Sequence, residues 1–417
     1  MSGGNLVLSA GKRDIHAEIR LTGSKSESNR ALVLEALSDG GVKVENLSEA
    51  ADTVTLNKIL RSLVAETPIT IVDVGPAGTA MRFLTAFAAV KGIEAIITGT
   101  ARMKQRPIGL LVDALRTLGA SITYAEADGF PPVNTHPGFR QQTRVVSIKG
   151  DISSQYITAL LLVAPVLPQG LELEIEGELT SRPYVEMTLS MLSQVGISHE
   201  WNGDRIVIPR QPFIITTLTV EPDWSAASYW YAMAALAETS AISLPNLRKY
   251  SLQGDSRIAE IMANFGVTST FVGNGLEIKK EPKTFVPKLF DLKDCPDLAQ
   301  TVIVCCAALG HNASFTGLET LKIKETDRIQ ALQNELAKFG VKFTADGTTY
   351  HLDSSERFFP EKIRISTYED HRMAMAFAPL ALVIKEVEIE DYLVVEKSYP
   401  DFWTHLAQIG IISTEQA

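Results

Sequence analysis

A series of loops along the chain sets cations beside small or hydroxylated residues and then runs into apolar stretches of helical spacing. Gly23-Ser24-Lys25-Ser26-Glu27-Ser28-Asn29-Arg30 precedes the apolar residues 31–37. A lysine, several hydroxyls and the free N–H groups of a helix N-terminus all favour a bound anion. The spacing of a P-loop, G-x-x-x-x-G-K-[ST], is absent. Gly75-Pro76-Ala77-Gly78-Thr79-Ala80-Met81-Arg82 is a second such loop, in which Gly78 lets a ligand approach the backbone and Thr79 is placed to cap a helix. Arg102, Lys104 and Arg106 crowd together just before Pro107. Ser153-Ser154-Gln155-Tyr156 opens an apolar helix over 157–164 that Pro165 should end, and Ser181-Arg182-Pro183-Tyr184 repeats its chemistry. Lys324 and Arg328 are four residues apart with Glu325 between them, the spacing of helical salt bridges. Asp370-His371-Arg372-Met373 opens another apolar helix, over 374–383 and interrupted by Pro379, and Lys397 closes the last polar loop before Pro400. Arginines grip phosphates and carboxylates with two parallel hydrogen bonds, so the set suits small substrates that carry both groups.

These loops recur because the elements around them recur. Each copy has a short β-like run, a polar loop, about three turns of amphipathic helix, and usually a glycine before the next β-like run. Residues 94–98 lead to Arg106-Pro107, a helix over 108–118 and Gly119; residues 171–175 lead to Arg182-Pro183, a helix over 184–195 and Gly196. Later copies pass through Asp255-Ser256-Arg257 to Gly266, through Asp327-Arg328 to Gly340, and through Pro400-Asp401 to Gly410. A first copy starts at Val42 and has a helix near 52–64 but no closing glycine. Proline fits the first helical turn, and glycine supplies the left-handed cap at the other end. Six units of roughly 70 residues predict an α/β protein of two domains with three units each, parting near Pro222. Residues 6–8 and 15–21 read as a β-hairpin lead-in that could join either half. Every cationic cluster lies in a strand-to-helix loop, the end at which α/β folds bind ligands. If two such domains face each other, the loops converge on one positive cleft.

Composition sets the outer limits. Of 417 residues, 45% are hydrophobic and 21% charged, the balance of a globular protein. Lys and Arg number 39 against 49 Asp and Glu, and the resulting −10 argues against a nucleic-acid binder. The longest apolar run, 159–167, is too short to cross a bilayer, and residues 1–15 have no signal-peptide core. Three cysteines form neither a zinc spacing nor a disulfide framework, so no metal, no membrane and a cytoplasmic location are expected.

The ordered motifs make the reading specific. G-S-K-S-E-S-N-R at 23–30, A-G-T-A-M-R at 77–82, R-M-K-Q-R-P at 102–107, S-S-Q at 153–155 and S-R-P-Y at 181–184 occupy the first half. P-D at 296–297, K-E-T-D-R at 324–328, D-H-R-M-A-M at 370–375 and K-S-Y-P-D at 397–401 occupy the second. Together they strongly resemble the 5-enolpyruvylshikimate-3-phosphate (EPSP) synthase family, the 3-phosphoshikimate 1-carboxyvinyltransferases. The resemblance implies the enolpyruvyl transferase fold, an inside-out α/β barrel of two domains with three βαβαββ repeats each. Residues 22–221 would form one domain and residues 1–21 plus 222–417 the other, with the active site in the cleft between them. It implies transfer of the enolpyruvyl group of phosphoenolpyruvate to the 5-hydroxyl of shikimate 3-phosphate, with loss of phosphate through a tetrahedral intermediate. It implies no cofactor, no macromolecular partner and a monomer.

Roles carry over motif by motif. Lys25, Ser26, Arg30, Ser153, Ser154, Gln155, Ser181, Tyr184, Asp297 and Lys324 would hold shikimate 3-phosphate. Lys25, Gly78, Arg106, Gln155, Arg328, Arg372 and Lys397 would hold phosphoenolpyruvate. Asp297 would deprotonate the 5-hydroxyl, Glu325 would deliver and remove the methyl proton, and Lys25 and His371 would assist. Two separate carboxyl groups suit an addition that needs a base at a hydroxyl and a proton donor at a methylene carbon. Glu325, set between cations, should favour its ionised form and gain its proton as anionic substrates arrive.

This sequence departs from the family at Pro76, where asparagine is common, at Phe83, where proline often follows M-R, and at Thr320, where an asparagine commonly touches shikimate 3-phosphate. Residues 44–75 are too few for a full first repeat, and Gly78 leaves the phosphoenolpyruvate pocket open, as in glyphosate-sensitive members. A related alternative, UDP-N-acetylglucosamine enolpyruvyl transferase, carries a cysteine shortly before an R-P pair, and residues 98–105 contain none. A catalytically silent homologue is the other alternative, and retention of both carboxylates and of the cations argues against it.

Overall fold

Residues 4–65, 70–282 and 287–416 are described by the structure, a computed structural model. The chain divides into two compact units, Met1–Thr22 with Glu221–Ala417, and Gly23–Val220. In the unit Gly23–Val220, three helices are buried over most of their length and pack on one another: Lys25–Leu37, Gly78–Lys91 and Ser154–Val163. In the other unit the equivalent three are Trp224–Leu236, Ala299–Leu309 and His371–Phe377. Their sequences explain the burial, since runs such as AQTVIVCCAAL leave no face for water. Amphipathic helices such as Ala51–Leu63, Gly109–Leu118 and Arg182–Gln194 bury one face only.

Six sheets surround these helices among the described residues, and five follow one rule. In each of the five, an edge strand pairs parallel with the next, which pairs antiparallel with a third, which pairs antiparallel with a fourth. Ile71–Asp73 pairs with Ala95–Thr98 in this way, followed by Val133–Thr135 and Ile122–Tyr124. The sixth sheet holds only Val42–Glu45 and its parallel partner Thr216–Thr219. It is the shortened first repeat, and its partner strand comes from the far end of the same unit. The closing glycines 119, 196, 266, 340 and 410 all have positive φ, as the left-handed cap requires.

Several local expectations need correction. Asn5–Ala10 and Asp14–Glu18 are strands but form no hairpin. The first lies between Glu386–Ile389 and Ile411–Gln416, whereas the second runs parallel to Thr239–Pro245 in another sheet. The hydrophobic alternation was legible, but the partner of a strand lies outside its local sequence. Residues 25–30 are not loop: Ser24 caps the helix by accepting from Glu27 N, so Lys25 to Arg30 form its first turns. Ala77, not Thr79, is the cap residue of Gly78–Lys91. Lys324 and Glu325 lie before the helix Arg328–Ala337, which Asp327 caps, so no helical salt-bridge ladder exists there. Pro107 stands two residues ahead of Gly109–Leu118, whereas Pro183 does sit in the first turn of Arg182–Gln194.

One buried amide stands out. Gln300 is fully buried in Ala299–Leu309, and neither its nitrogen nor its oxygen finds a hydrogen-bond partner among the described residues. An unsatisfied buried polar group costs about 1–3 kcal/mol. Gln300→Met, similar in length and a good helix former, is expected to raise the free energy of unfolding by about 1–2 kcal/mol in urea titrations.

Candidate active site

In the unit Gly23–Val220, the N-termini of the three buried helices carry the expected residues. Arg30 is buried and knots three segments together. Its Nε donates to Thr188 Oγ1 at 2.9 Å and its Nη1 to the Ser26 carbonyl at 2.8 Å. Its Nη2 donates to Thr158 Oγ1 and to the Tyr184 carbonyl, both at 3.3 Å. The rings of Phe83 and Tyr184 each lie 5.8 Å from its guanidinium carbon. Phe83, a departure in sequence, thus supplies an aromatic face to this cation. Burial pulls the Arg30 pKa down to about 10, so it remains charged at neutral pH. Lys25 Nζ lies 3.4 Å from Asp52 Oδ2, and Asp52 is itself buried.

A second knot joins the next loops. Arg82, also buried, donates to the Gly78 carbonyl at 3.1 Å and to the Pro107 carbonyl at 2.8 Å. Tyr156 Oη donates to the same Pro107 carbonyl at 2.5 Å. Gln155 Nε2 reaches Thr79 Oγ1 at 3.3 Å, and Ser153 caps the helix that Ser154 begins by accepting from Gln155 N. Ser181, the cap residue of Arg182–Gln194, is held at φ 55°, a strained conformation for serine. Pro76 is exposed at the head of its loop. The Arg106 guanidinium lies over Gly78, where an added Cβ would fall 2.6 Å from Nη1 and 2.7 Å from Nη2. Gly78→Ala must therefore push Arg106 aside, and a side-chain end moves without unfolding anything. On the role that the resemblance assigns to these two residues, the expected result is an unchanged melting temperature with a KM for phosphoenolpyruvate raised about 10- to 100-fold, the loss of one charged hydrogen bond.

In the other unit, Arg328 is the centre. It is 1% exposed and surrounded by three carboxylates. Nε donates to Asp370 Oδ2 at 2.7 Å, Nη1 to Asp297 Oδ1 at 3.3 Å and Nη2 to Glu325 Oε2 at 2.9 Å. Arg372 holds Asp297 from the other side, through Oδ2 at 2.8 Å and the backbone carbonyl at 3.1 Å. Lys397 Nζ holds Glu325 Oε1 at 3.0 Å. Asp370 caps His371–Phe377 by accepting from Arg372 N, and His371 is buried beside it, with Nδ1 3.6 Å from Asp370 Oδ1. Lys324 is half-buried between the one-turn helix Glu319–Ile323, which includes Thr320, and Glu325. Burial alone would raise the Asp297 pKa, but Arg372, Lys324 and Arg328 together hold it well below the ordinary carboxylate range. Asp297 is accordingly ionised, with its charge pinned by two arginines.

Contacts join part of the expected set within each unit: Arg30 with Ser26 and Tyr184, and Arg106 with Gly78, in one, and Asp297, Glu325, Arg328, Arg372 and Lys397 in the other. Sequence reasoning missed the groups that hold them. Asp370 was quoted in a motif but given no task, although it is the closest partner of Arg328. Arg82 stands in the A-G-T-A-M-R motif without an assigned task, whereas Asp52, Thr158 and Thr188 carry no signal, because a buried partner has no fixed spacing from the group it serves. Among the described residues, no group of three His, Cys, Asp or Glu is arranged to hold a metal ion, and no helix is long and apolar enough to cross a membrane.

Known proteins share both sequence and fold. The family model described as EPSP synthase (3-phosphoshikimate 1-carboxyvinyltransferase) matches residues 9–70 and 64–406. A 3-phosphoshikimate 1-carboxyvinyltransferase of Bacteroides fragilis is 46% identical over 400 residues, covering 95% of this chain and 96% of the relative. One of Neisseria meningitidis is 35% identical over 411 residues, covering 92% and 94%. An EPSP synthase structure from Acinetobacter baumannii, 20% identical, superposes with a TM-score of 0.78 over 99% of this chain and 100% of that one. The enolpyruvyl transferase NikO from Streptomyces tendae, 17% identical, shares the fold with a TM-score of 0.74 over 99% of both chains. On the sequence matches, which span nearly its whole length, the chain belongs to the EPSP synthase (3-phosphoshikimate 1-carboxyvinyltransferase) family.

Proposed function

We propose that this protein transfers the enolpyruvyl group of phosphoenolpyruvate to the 5-hydroxyl of shikimate 3-phosphate, releasing phosphate. The observation that carries the residue roles is the arrangement around Arg328. Two carboxylates, Asp297 and Glu325, are held apart on different nitrogens of one buried guanidinium. Arg372 and Lys397 flank them.

The chemistry follows from that arrangement. An anionic phosphoenolpyruvate competes with Asp297 and Glu325 for Arg328, Arg372 and Lys397. As it takes over the cations, each carboxylate loses the partners that suppress its basicity. Asp297 then accepts the proton of the 5-hydroxyl as the oxygen attacks the C2 carbon of phosphoenolpyruvate. Glu325, having gained a proton, gives it to the methylene carbon, which becomes a methyl group. In the second step Glu325 takes a methyl proton back, the double bond re-forms and the C2–O bond to phosphate breaks. His371 and Lys25 assist with proton and charge. Shikimate 3-phosphate is held by Lys25, Ser26, Ser153, Ser154, Gln155, Ser181, Tyr184, Asp297 and Lys324, with Arg30 among them. Gly78, Arg106 and Gln155 complete the phosphoenolpyruvate contacts.

Phosphate release on mixing the protein with both substrates tests the reading. Release with that pair supports it. Release only when UDP-N-acetylglucosamine replaces shikimate 3-phosphate, or with neither acceptor, rejects it.

A further inference from the structure

The turn that delivers Asp370, His371 and Arg372 is strained. It connects the strand Lys362–Ile365 to the helix His371–Phe377. Tyr368 and Glu369, the two residues just ahead of Asp370, have φ of 55° and 57°. Both lie in the left-handed region that residues with a Cβ avoid, and such residues persist only where their surroundings hold them. Asp370 N donates to the Thr367 carbonyl at 2.9 Å, which closes the turn.

What holds this turn in place is Glu335, a carboxylate with no part in the proposed chemistry. It is fully buried, in the helix Arg328–Ala337. Oε1 accepts from Tyr368 Oη at 2.7 Å. Oε2 accepts from Ser366 N at 3.2 Å and from Lys338 Nζ at 2.6 Å. Lys338 also donates to the Arg364 carbonyl at 2.7 Å, in the strand that leads into the turn. Burial, and then the bond to Glu335, push the Tyr368 hydroxyl up to about 12, so it keeps the proton it donates. Burying a charge is costly unless it is paired and hydrogen-bonded, so a fully buried glutamate marks a place where strong acceptors are needed.

The same helix grips the turn a second time. Arg328, about 10 Å before Glu335 along the helix, donates its Nε to Asp370 Oδ2 at 2.7 Å. Two points fixed on one rigid element set both the place and the twist of the turn between them. We propose that Glu335 is a positioning residue of the site: through Tyr368 Oη and Ser366 N it holds the left-handed turn that presents Asp370 to Arg328 and Arg372 to Asp297. Its effect on the reaction rests on the reading that Arg328 and Arg372 receive phosphoenolpyruvate.

The test is Tyr368→Phe, which deletes one hydroxyl and leaves the ring and Glu335 in place. If the turn relaxes, Arg328 and Arg372 lose their aim. The KM for phosphoenolpyruvate should then rise about tenfold relative to the KM for shikimate 3-phosphate, the worth of a hydrogen bond to a charged group. A merely structural role would lower the melting temperature and leave that ratio unchanged, and this result overturns the proposal. Should Tyr368→Phe not fold, Lys338→Gln removes an exposed donor from Glu335 and is read in the same way. The ratio should rise about threefold, and an unmoved ratio overturns the proposal. If the wild type releases no phosphate at all, the proposed activity fails. The turn is then read by NMR, from hydrogen exchange of the Arg328 Nε–H, which Asp370 protects, in the wild type and in the folded variant. Exchange should quicken about tenfold relative to the backbone amides of Ala299–Leu309 in the same unit. Exchange that only keeps pace with those amides overturns the proposal.

Discussion

Asp297→Asn should lower kcat by about 10²- to 10⁴-fold, the usual worth of a positioned general base. Its effect on KM is the more telling part. Asp297 is bound to both Arg328 and Arg372, so an anionic substrate must displace it to reach them. An amide binds those guanidiniums less strongly than a carboxylate. The variant should therefore bind phosphoenolpyruvate at least as tightly as the wild type while turning over far more slowly. Steady-state kinetics in both substrates check this, and turnover within threefold of wild type would remove the role assigned to Asp297. Glu325→Gln should lose a comparable factor for the other proton.

Arg328→Met should destabilise its unit by about 3–5 kcal/mol, as expected when one partner of a buried charge network is deleted. Asp370 is fully buried, and without Arg328 it loses its closest cation while Asp297 and Glu325 each lose one. Denaturant titration at pH 7.5 measures the loss. The difference from wild type should shrink in acid. Asp297 is held well below its ordinary range, so its interactions stabilise the fold above the unfolded-state pKa, about 4, and fade as pH falls toward the folded value. A loss under 1 kcal/mol at pH 7.5 would mean that other groups satisfy these carboxylates.

Much of this was legible in the sequence, for reasons that are local. Glycine at 119, 196, 266, 340 and 410 marks helix ends because a left-handed residue with no Cβ is needed there. The cationic clusters could be located because strand-to-helix loops recur at one period. What stayed hidden depends on pairing across long separations. Asn5–Ala10 reads as half a hairpin until its partners at 386–389 and 411–416 are known. Nothing in the sequence around Arg30 announces that Thr158 and Thr188 accept its hydrogen bonds. Lys324 to Arg328 fits a helical ladder until Asp327 is found capping a helix that starts at Arg328. Phe83 is an anomaly in sequence and an ordinary partner of a cation in the structure.

The strand Asn5–Ala10 also bears on how the chain is made. It is an inner strand of its sheet, bonded on one side to Glu386–Ile389 and on the other to Ile411–Gln416. It is synthesised well before its partners, which lie far downstream of it in the chain. At roughly 5–20 residues per second it waits about 20–80 s with its ladder groups open. Residues 23–220 are contiguous and able to complete their own contacts during that interval. Their contacts need no later part of the chain, whereas the sheet that holds Asn5–Ala10 can close only after residue 411 has emerged. A truncation before that point should leave a nascent chain with one finished unit and one that chaperones still recognise.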